Sequence, residues 1–212
     1  MIDMGFIEDF FNNEIGFRSK EEISEFLFPH IMSITPRQRI EFLYTTFIQN
    51  KNGNRIGVIP RRIAADIIAE YWNCSDIGKT NAELKLEILE LLNEASVKQE
   101  PTYILKYCRL PDEVIIYRGI RGHKNSKGIY WTLDKAIAEF FALKYARPGY
   151  PLPDSKTKAW IYTGRIKKDK IVYMTNDKDE KEIVCKPGEV KIIKCEAVKL
   201  KSGFGSDILY IE

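Results

Sequence analysis

Two glutamates at the start of a strand-like segment are the first candidates for chemistry in this sequence. Glu180 and Glu182 lie in "DEKEIVCKPGEV" (179–190), where a polar, acidic approach meets the apolar run "EIVC". In an extended chain, alternate residues point to one face, so the pattern predicts two carboxylates side by side. Such a pair repels unless a cation or a hydrogen-bond donor lies between them. A solvated strand end fits the same pattern, and Glu-x-Glu alone does not decide between the two.

Two other segments carry polar groups at predicted strand ends. Arg118 follows the β-branched run "EVIIY" within "YRG", and a guanidinium there can bind a phosphate through two parallel hydrogen bonds. Thr132 ends "GIYWT" just before the helix-like "LDKAIAEFFA", where a hydroxyl either serves chemistry or caps the helix. Each segment alone fits an ordinary surface or capping residue equally well.

Taken together, the order and spacing of these segments resemble the arginine–serine–glutamate class of mono-ADP-ribosyltransferases. That class includes bacterial toxins and related phage enzymes. Its first strand ends in an arginine, often as "YRG", its second carries Ser-Thr-Ser before a helix "L(D/S)xxxAxxFA", and a later strand carries Glu-x-Glu. The matching segments here are Arg118 in "YRG", "YWTLDKAIAEFFA" (130–142) and "EKEIVCKPGEV" (180–190). The resemblance covers roughly residues 112–200.

The resemblance implies that the protein is an enzyme that transfers ADP-ribose from NAD to a macromolecule and releases nicotinamide. NAD is then a substrate, and no metal ion is implied. The family motif makes Glu182 the catalytic carboxylate, places Glu180 against the acceptor and assigns Thr132 to orienting Glu182. A glutamate at the position of Glu180 accompanies arginine modification in this class, so a protein arginine is the favoured acceptor.

The same correspondence assigns residues that bind NAD. Arg118 contacts a phosphate of NAD, and Tyr117 and Gly119 flank it within "YRG". Arg147 begins the loop "RPGYPLPDSK", which corresponds to the family's phosphate–nicotinamide loop. It is either a second phosphate contact or an ordinary exposed arginine.

The second motif departs from the family pattern. Tyr130, Trp131 and Thr132 occupy the Ser-Thr-Ser positions, so only the last keeps a hydroxyl of the usual kind. Tyr130 supplies a hydroxyl on a longer side chain or fills the pocket. Tyr130 or Trp131 either packs beside the nicotinamide or belongs to the core.

The segment "YMTNDKDEK" (173–181) corresponds to the loop that contacts the acceptor in such enzymes. An acidic loop suits a basic protein partner better than a phosphate backbone. The lysines between positions 167 and 201 alternate with acidic residues and lack a pattern of stacking aromatics, so nucleic acid is the less favoured partner. A net charge of +3 is also too balanced to indicate nucleic acid.

Other functions stay open at the level of sequence. Water as the acceptor would make the protein an NAD glycohydrolase, and the altered second motif also fits a catalytically silent binding module. A metal enzyme finds no support, because the two histidines do not cluster with the carboxylates.

The periodicity of the chain changes near its middle. Four apolar stripes with helical spacing lie before residue 100. Ser19 is the predicted cap of the first helix, and Thr35 with Pro36 predicts the start of the second. The remainder holds short β-branched runs, the last at 207–212, around one helix at 134–146 with Asp134 as its cap. We therefore expect an α+β protein, with a helical lobe at 1–108 and a two-sheet, mostly antiparallel ADP-ribosyltransferase-like β core at 109–212. The two parts could equally form one compact domain.

The sequence carries no pattern of a signal peptide, since "MIDMGFIEDFFNNE" is acidic and lacks a basic segment before an apolar one. Its apolar runs are too short to span a membrane. The four cysteines form no CxxC pair, which favours reduced thiols over a disulfide framework. We expect the cytoplasm of the producing cell or, for a toxin or effector of bacterial or phage origin, of a target cell.

Overall fold

The computed structural model describes residues 19–48, 50–51, 54–55, 59–78, 80–122, 124–125, 127–143, 158–176 and 179–198. The chain divides into two compact units, Met1–Glu100 and Pro101–Glu212. The short helix that follows the division is therefore part of the second unit, whereas the sequence analysis placed its residues in the helical lobe.

The first unit is helical, as predicted. Its main elements are α1 (Lys20–Ser33), α2 (Arg39–Leu43, continued by a π-helical turn at Tyr44–Ile48), α3 (Arg61–Trp72) and α4 (Ala82–Leu92). A small antiparallel hairpin, β1 (Asn50–Lys51) and β2 (Asn54–Arg55), lies between α2 and α3, and a 3-10 turn at Ser96–Gln99 ends the unit. None of the described helices is long and apolar enough to cross a membrane.

Side-chain caps set two of the helix starts. The Ser19 hydroxyl accepts a hydrogen bond from the Glu22 N–H at 3.2 Å, and the Asn81 side chain accepts one from the Leu84 N–H at 2.9 Å. The predicted start of α2 at Pro36 is wrong, because the helix begins at Arg39. The buried Arg39 guanidinium donates to the carbonyl groups of Ile34 and Cys74, and these contacts shape the turn before α2.

The second unit is built on one antiparallel sheet. It opens with α5 (Pro101–Cys108), and its strands are β3 (Glu113–Arg121), β4 (Tyr130–Thr132), β5 (Ala159–Lys167), β6 (Ile171–Thr175), β7 (Glu182–Cys185) and β8 (Lys191–Val198). Their order across the sheet is β6-β7-β4-β3-β5-β8, and α6 (Lys135–Leu143) lies between β4 and β5 in sequence. The prediction of two sheets is not confirmed, since all six described strands of this unit belong to one sheet. The strand predicted at 207–212 lies outside the described residues.

The two central strands of this sheet, β4 and β3, share the fewest backbone pairs. Strands β3 and β5 stay in register over nine residues, from Glu113 opposite Lys167 to Arg121 opposite Ala159. Strands β3 and β4 share only one registered pair, Tyr117 opposite Thr132. The sheet therefore consists of two three-stranded halves, β6-β7-β4 and β3-β5-β8, which meet at this pair.

The two faces of the sheet carry separate apolar clusters. One face buries a group of large side chains: Val114, Ile116, Trp131, Tyr162, Ile166, Ile171, Ile183 and Cys185. On the other face, Ala138 and Ala142 of α6 pack against Ala159 and Ile161 of β5. Burial in the first cluster raises the pKa of the Cys185 thiol to about 12.

Gly119 allows α6 to pack directly on β3. A Cβ atom at Gly119 would lie 1.7 Å from the Ala138 carbonyl oxygen and 2.8 Å from the Ala142 nitrogen. These are backbone atoms, which cannot move aside unless the helix shifts. The glycine in "YRG" is therefore a requirement of close helix–strand packing.

We predict that Gly119→Ala lowers the free energy of unfolding by about 1–3 kcal/mol, the usual cost of overpacking. Urea unfolding followed by circular dichroism measures this change. Gly128→Ala is the matched control, because the three atoms nearest its new Cβ all belong to the end of the Arg118 side chain and not to the backbone. Equal stability of Gly119→Ala and wild type would contradict the proposed packing role.

Candidate active site

The three motif segments lie on neighbouring strands. Strand β7, which carries Glu182, pairs with β4, and β4 pairs with β3. Thr132 is opposite Glu182 on one side and opposite Tyr117 on the other. Residues directly opposite each other in an antiparallel pair point to the same face. Tyr117, Thr132 and Glu182 therefore share one face of the sheet.

The Thr132 hydroxyl connects three pieces of chain. It donates a hydrogen bond to the Glu180 carbonyl oxygen at 2.7 Å and accepts one from the Asp134 N–H at 3.0 Å. The side chain is buried, with 6% of its surface exposed. Thr132 thus holds the backbone of the Glu-x-Glu segment against the turn that starts α6. Its predicted action on the Glu182 carboxylate stays a prediction.

The Glu-x-Glu segment is not extended throughout. Strand β7 begins at Glu182, and Lys181 has φ of 46°, in the left-handed region. Asp179 has φ of 56°. The expectation that Glu180 and Glu182 point the same way rested on an extended Lys181, and that premise is wrong. Both glutamates are half-buried.

A second set of contacts fixes the same segment. The Leu133 N–H donates to the Lys181 carbonyl oxygen at 3.1 Å, and the Lys181 ammonium contacts an Asp134 carboxylate oxygen at 2.8 Å. The other Asp134 oxygen accepts from the Ala136 N–H at 2.9 Å, which is the predicted helix cap. The hydrogen bond from Lys181 and the one from Ala136 lower the pKa of Asp134, and Asp134 raises the pKa of Lys181.

Arg118 lies on the opposite face from Glu182. It follows Tyr117 in β3 and stands opposite Tyr162, which belongs to the large apolar cluster. Its guanidinium lies against Gly128, where an added Cβ would come within 0.8 Å of Nη1. Burial raises the pKa of Cys185, and the positive charge of Arg118 lowers it. The structure brings the strands of Arg118 and Glu182 close together, but it directs their side chains to different faces.

The other predicted NAD-binding residues divide between core and surface. Trp131 is buried, with 3% exposed, and its indole N–H donates to the Gly128 carbonyl at 2.9 Å. These contacts favour the core alternative for Trp131. Tyr130 is half-buried opposite Val184, on the face of Thr132. Tyr117 is half-buried and packs beside the cluster formed with α6.

Part of the predicted site lies outside the described residues. These residues are Arg147, with the loop 147–156 that it begins, and Asp177. Of the predicted acceptor loop, residues 173–175 belong to β6, and the Tyr173 ring is buried against Tyr103 at 6.0 Å between centroids. Among the described residues of this loop, Asn176 and Asp179 are exposed.

Sequence reasoning missed two features of this site. One is the ion pair between Asp134 and Lys181, although Asp134 was recognised as a cap. The other is Gly128, which leaves room for the Arg118 guanidinium. The one sequence signal for this role is the glycine itself, at the start of the strand-like run "GIYWT".

The described residues contain no group of three or more histidine, cysteine, aspartate or glutamate side chains that could hold a metal ion.

Comparisons with protein-family models, with curated proteins and with solved structures found no significant match.

We predict that Thr132→Val lowers the free energy of unfolding by about 1–3 kcal/mol, because it leaves a partly buried carbonyl and a partly buried N–H without their partner. Thr132→Ser keeps both hydrogen bonds and is the control. Urea unfolding of the two variants measures the difference. Equal stability of the valine and serine variants would show that the hydroxyl does not hold the segment.

Proposed function

We propose that this protein is an NAD-dependent mono-ADP-ribosyltransferase, which transfers ADP-ribose to a protein side chain, with arginine favoured. One observation carries the proposal. Thr132 stands in register with both Tyr117 and Glu182, so segments far apart in sequence converge on adjoining strands. The family resemblance implies that the three segments lie on adjoining strands, and this register supports that arrangement, whereas the Arg118 side chain points to the face opposite Glu182.

The proposed reaction breaks the bond between C1′ of the ribose and the nicotinamide nitrogen. Neutral nicotinamide leaves with the bonding electron pair, and positive charge develops on the ribose, as in other glycosyl transfers. A guanidinium nitrogen of the acceptor then bonds to C1′ and loses a proton. In this scheme Glu182 stabilises the cationic ribose, and Glu180 receives the proton from the acceptor.

The opposite facing of Arg118 and Glu182 constrains how NAD would bind. A dinucleotide that contacts both groups has to cross the plane of the sheet. The place for such a crossing is beyond the Tyr117–Thr132 pair, because β3 and β4 share no further registered pair there. The pyrophosphate would then contact the half of the sheet that contains Arg118, and the nicotinamide ribose the half that contains Glu182.

The surroundings of Glu180 support a basic acceptor. Asp179 is exposed beside it, and the Asn176 side chain contacts the Asp179 carboxylate at 3.5 Å. An acidic edge of this kind attracts a guanidinium group and repels a phosphate backbone. Incubation with labelled NAD and a cell lysate, followed by identification of the labelled macromolecule, tests the proposal. Labelled protein supports it, and labelled nucleic acid would contradict it.

We predict that Glu182→Gln lowers turnover at least about a hundredfold, because losing one preorganised electrostatic partner costs roughly two to four kcal/mol in other enzymes. Nicotinamide release from NAD, measured by chromatography, gives the rate. Glu189→Gln, which changes an exposed glutamate in the turn after β7, is the matched control.

The same assay separates the other functions. Fast release of nicotinamide without any acceptor would indicate a glycohydrolase. Failure of the folded wild type to bind NAD in calorimetry would indicate a catalytically silent binding module. Near-normal transfer by a folded Glu182→Gln variant would remove Glu182 from the mechanism.

We predict that Arg118→Lys weakens NAD binding, because lysine keeps the charge and loses the planar fork that binds phosphate. Gly128→Ala should weaken NAD binding too, since its Cβ displaces the guanidinium. Calorimetry with NAD measures both, and Arg165→Lys, at a surface ion pair with Glu113, is the matched control. Wild-type affinity in Arg118→Lys would contradict the phosphate-binding role.

A further inference from the structure

Glu180 lies between two strained backbone positions. In the part of the chain that the structure describes, Asp179 and Lys181 are the non-glycine residues with positive φ, and they flank Glu180 on both sides. Left-handed backbone is unfavourable for a side chain such as lysine, and it persists only where the surroundings enforce it. Strain of this kind clusters at functional sites, so its cause here is informative.

Three contacts from the end of β4 and the turn before α6 restrain Glu180 and Lys181. The Thr132 hydroxyl binds the Glu180 carbonyl, the Leu133 N–H binds the Lys181 carbonyl, and Asp134 binds the Lys181 ammonium. The first two fix the two peptides that flank the Lys181 Cα atom, Glu180–Lys181 and Lys181–Glu182. The third adds a side-chain restraint on Lys181 itself.

The two carboxylate oxygens of Asp134 make different contacts. Its Oδ1 caps α6 through the Ala136 N–H, and its Oδ2 contacts Lys181. A helix cap requires only the first contact, and asparagine supplies it as well as aspartate does. The second contact has no function in starting the helix. It holds the residue next to Glu180 in a backbone conformation that lysine otherwise avoids.

We propose that Asp134 and Lys181 are positioning residues for Glu180, and that their ion pair favours a guanidinium acceptor over water. The inference rests on the proposed transferase function. The backbone dihedrals of Asp179 and Lys181, with the restrained Glu180 carbonyl, set the direction of the Glu180 Cα–Cβ bond. Without the ion pair, the segment relaxes from the left-handed conformation, and the Glu180 carboxylate leaves the place where it receives the acceptor's proton. Water needs no such carboxylate at that place, so hydrolysis of NAD continues.

The test measures two products of one reaction with NAD and agmatine, a small guanidinium compound. Nicotinamide release reports all cleavage, and ADP-ribosyl-agmatine reports transfer. Lys181→Met removes the ammonium and, unlike asparagine, has no preference for positive φ, and Asp134→Asn keeps the cap. Each should lower the ratio of transfer to nicotinamide release about tenfold, since small misplacements of a reacting group have effects of this size or larger.

Two control variants separate positioning from a general structural effect. Lys181→Arg keeps the ion pair and should retain most of the wild-type ratio. Lys106→Met removes an exposed lysine of α5 that makes none of these contacts and should leave the ratio unchanged. An unchanged ratio in both Lys181→Met and Asp134→Asn overturns the inference, and so does an equal fall in Lys181→Arg.

Amide hydrogen exchange of residues 179–182 provides a readout that does not depend on activity. Lys181→Met and Asp134→Asn should both exchange faster than wild type in this segment, with unchanged thermal unfolding of the whole protein. If the wild type releases no nicotinamide, the proposed function fails, and exchange then decides the positioning effect alone. Wild-type exchange rates in both variants would overturn it.

Discussion

The bond between the Thr132 hydroxyl and the Glu180 carbonyl is the contact on which the candidate site depends. It ties the approach to β7 onto the end of β4, and the same oxygen accepts the N–H of Asp134 at the start of α6. A buried hydroxyl that both donates and accepts satisfies itself, the Glu180 carbonyl and the Asp134 N–H. The conformations of strand, helix and Glu-x-Glu segment are therefore coupled through one side chain.

Local sequence signals predicted the elements well because the forces that form them are local. The Ser19 and Asp134 caps act within one helical turn, and the β-branched runs lie in the strands where the pattern placed them. The start of α2 was wrong because it depends on Arg39, whose guanidinium reaches the carbonyl of Cys74. The sequence around residue 36 carries no signal for a contact with a residue so far along the chain.

The candidate site was predictable only in part. A motif resemblance placed its three segments together, and the register brings Thr132 between Tyr117 and Glu182. Which face Arg118 takes depends on that register, since a shift of one residue reverses every side chain. The direction of Glu180 depends on the left-handed Lys181, and lysine gives no sequence signal for positive φ. Both features arise from tertiary contacts.

Because β3 and β4 share a single pair, the two halves of the sheet are held together largely by the large apolar cluster on one face and by α6 on the other. This helix contacts β3, β4 and β5, so it spans the junction that the strands themselves connect at one place. Gly119 lets it lie directly on β3, and Asp134 starts it next to Glu180. Under the proposed function, Arg118 and Glu182 act from different halves on the two ends of NAD. The distance between them is then set by the packing of α6, and Asp134 connects that packing to the direction of the acceptor-facing carboxylate.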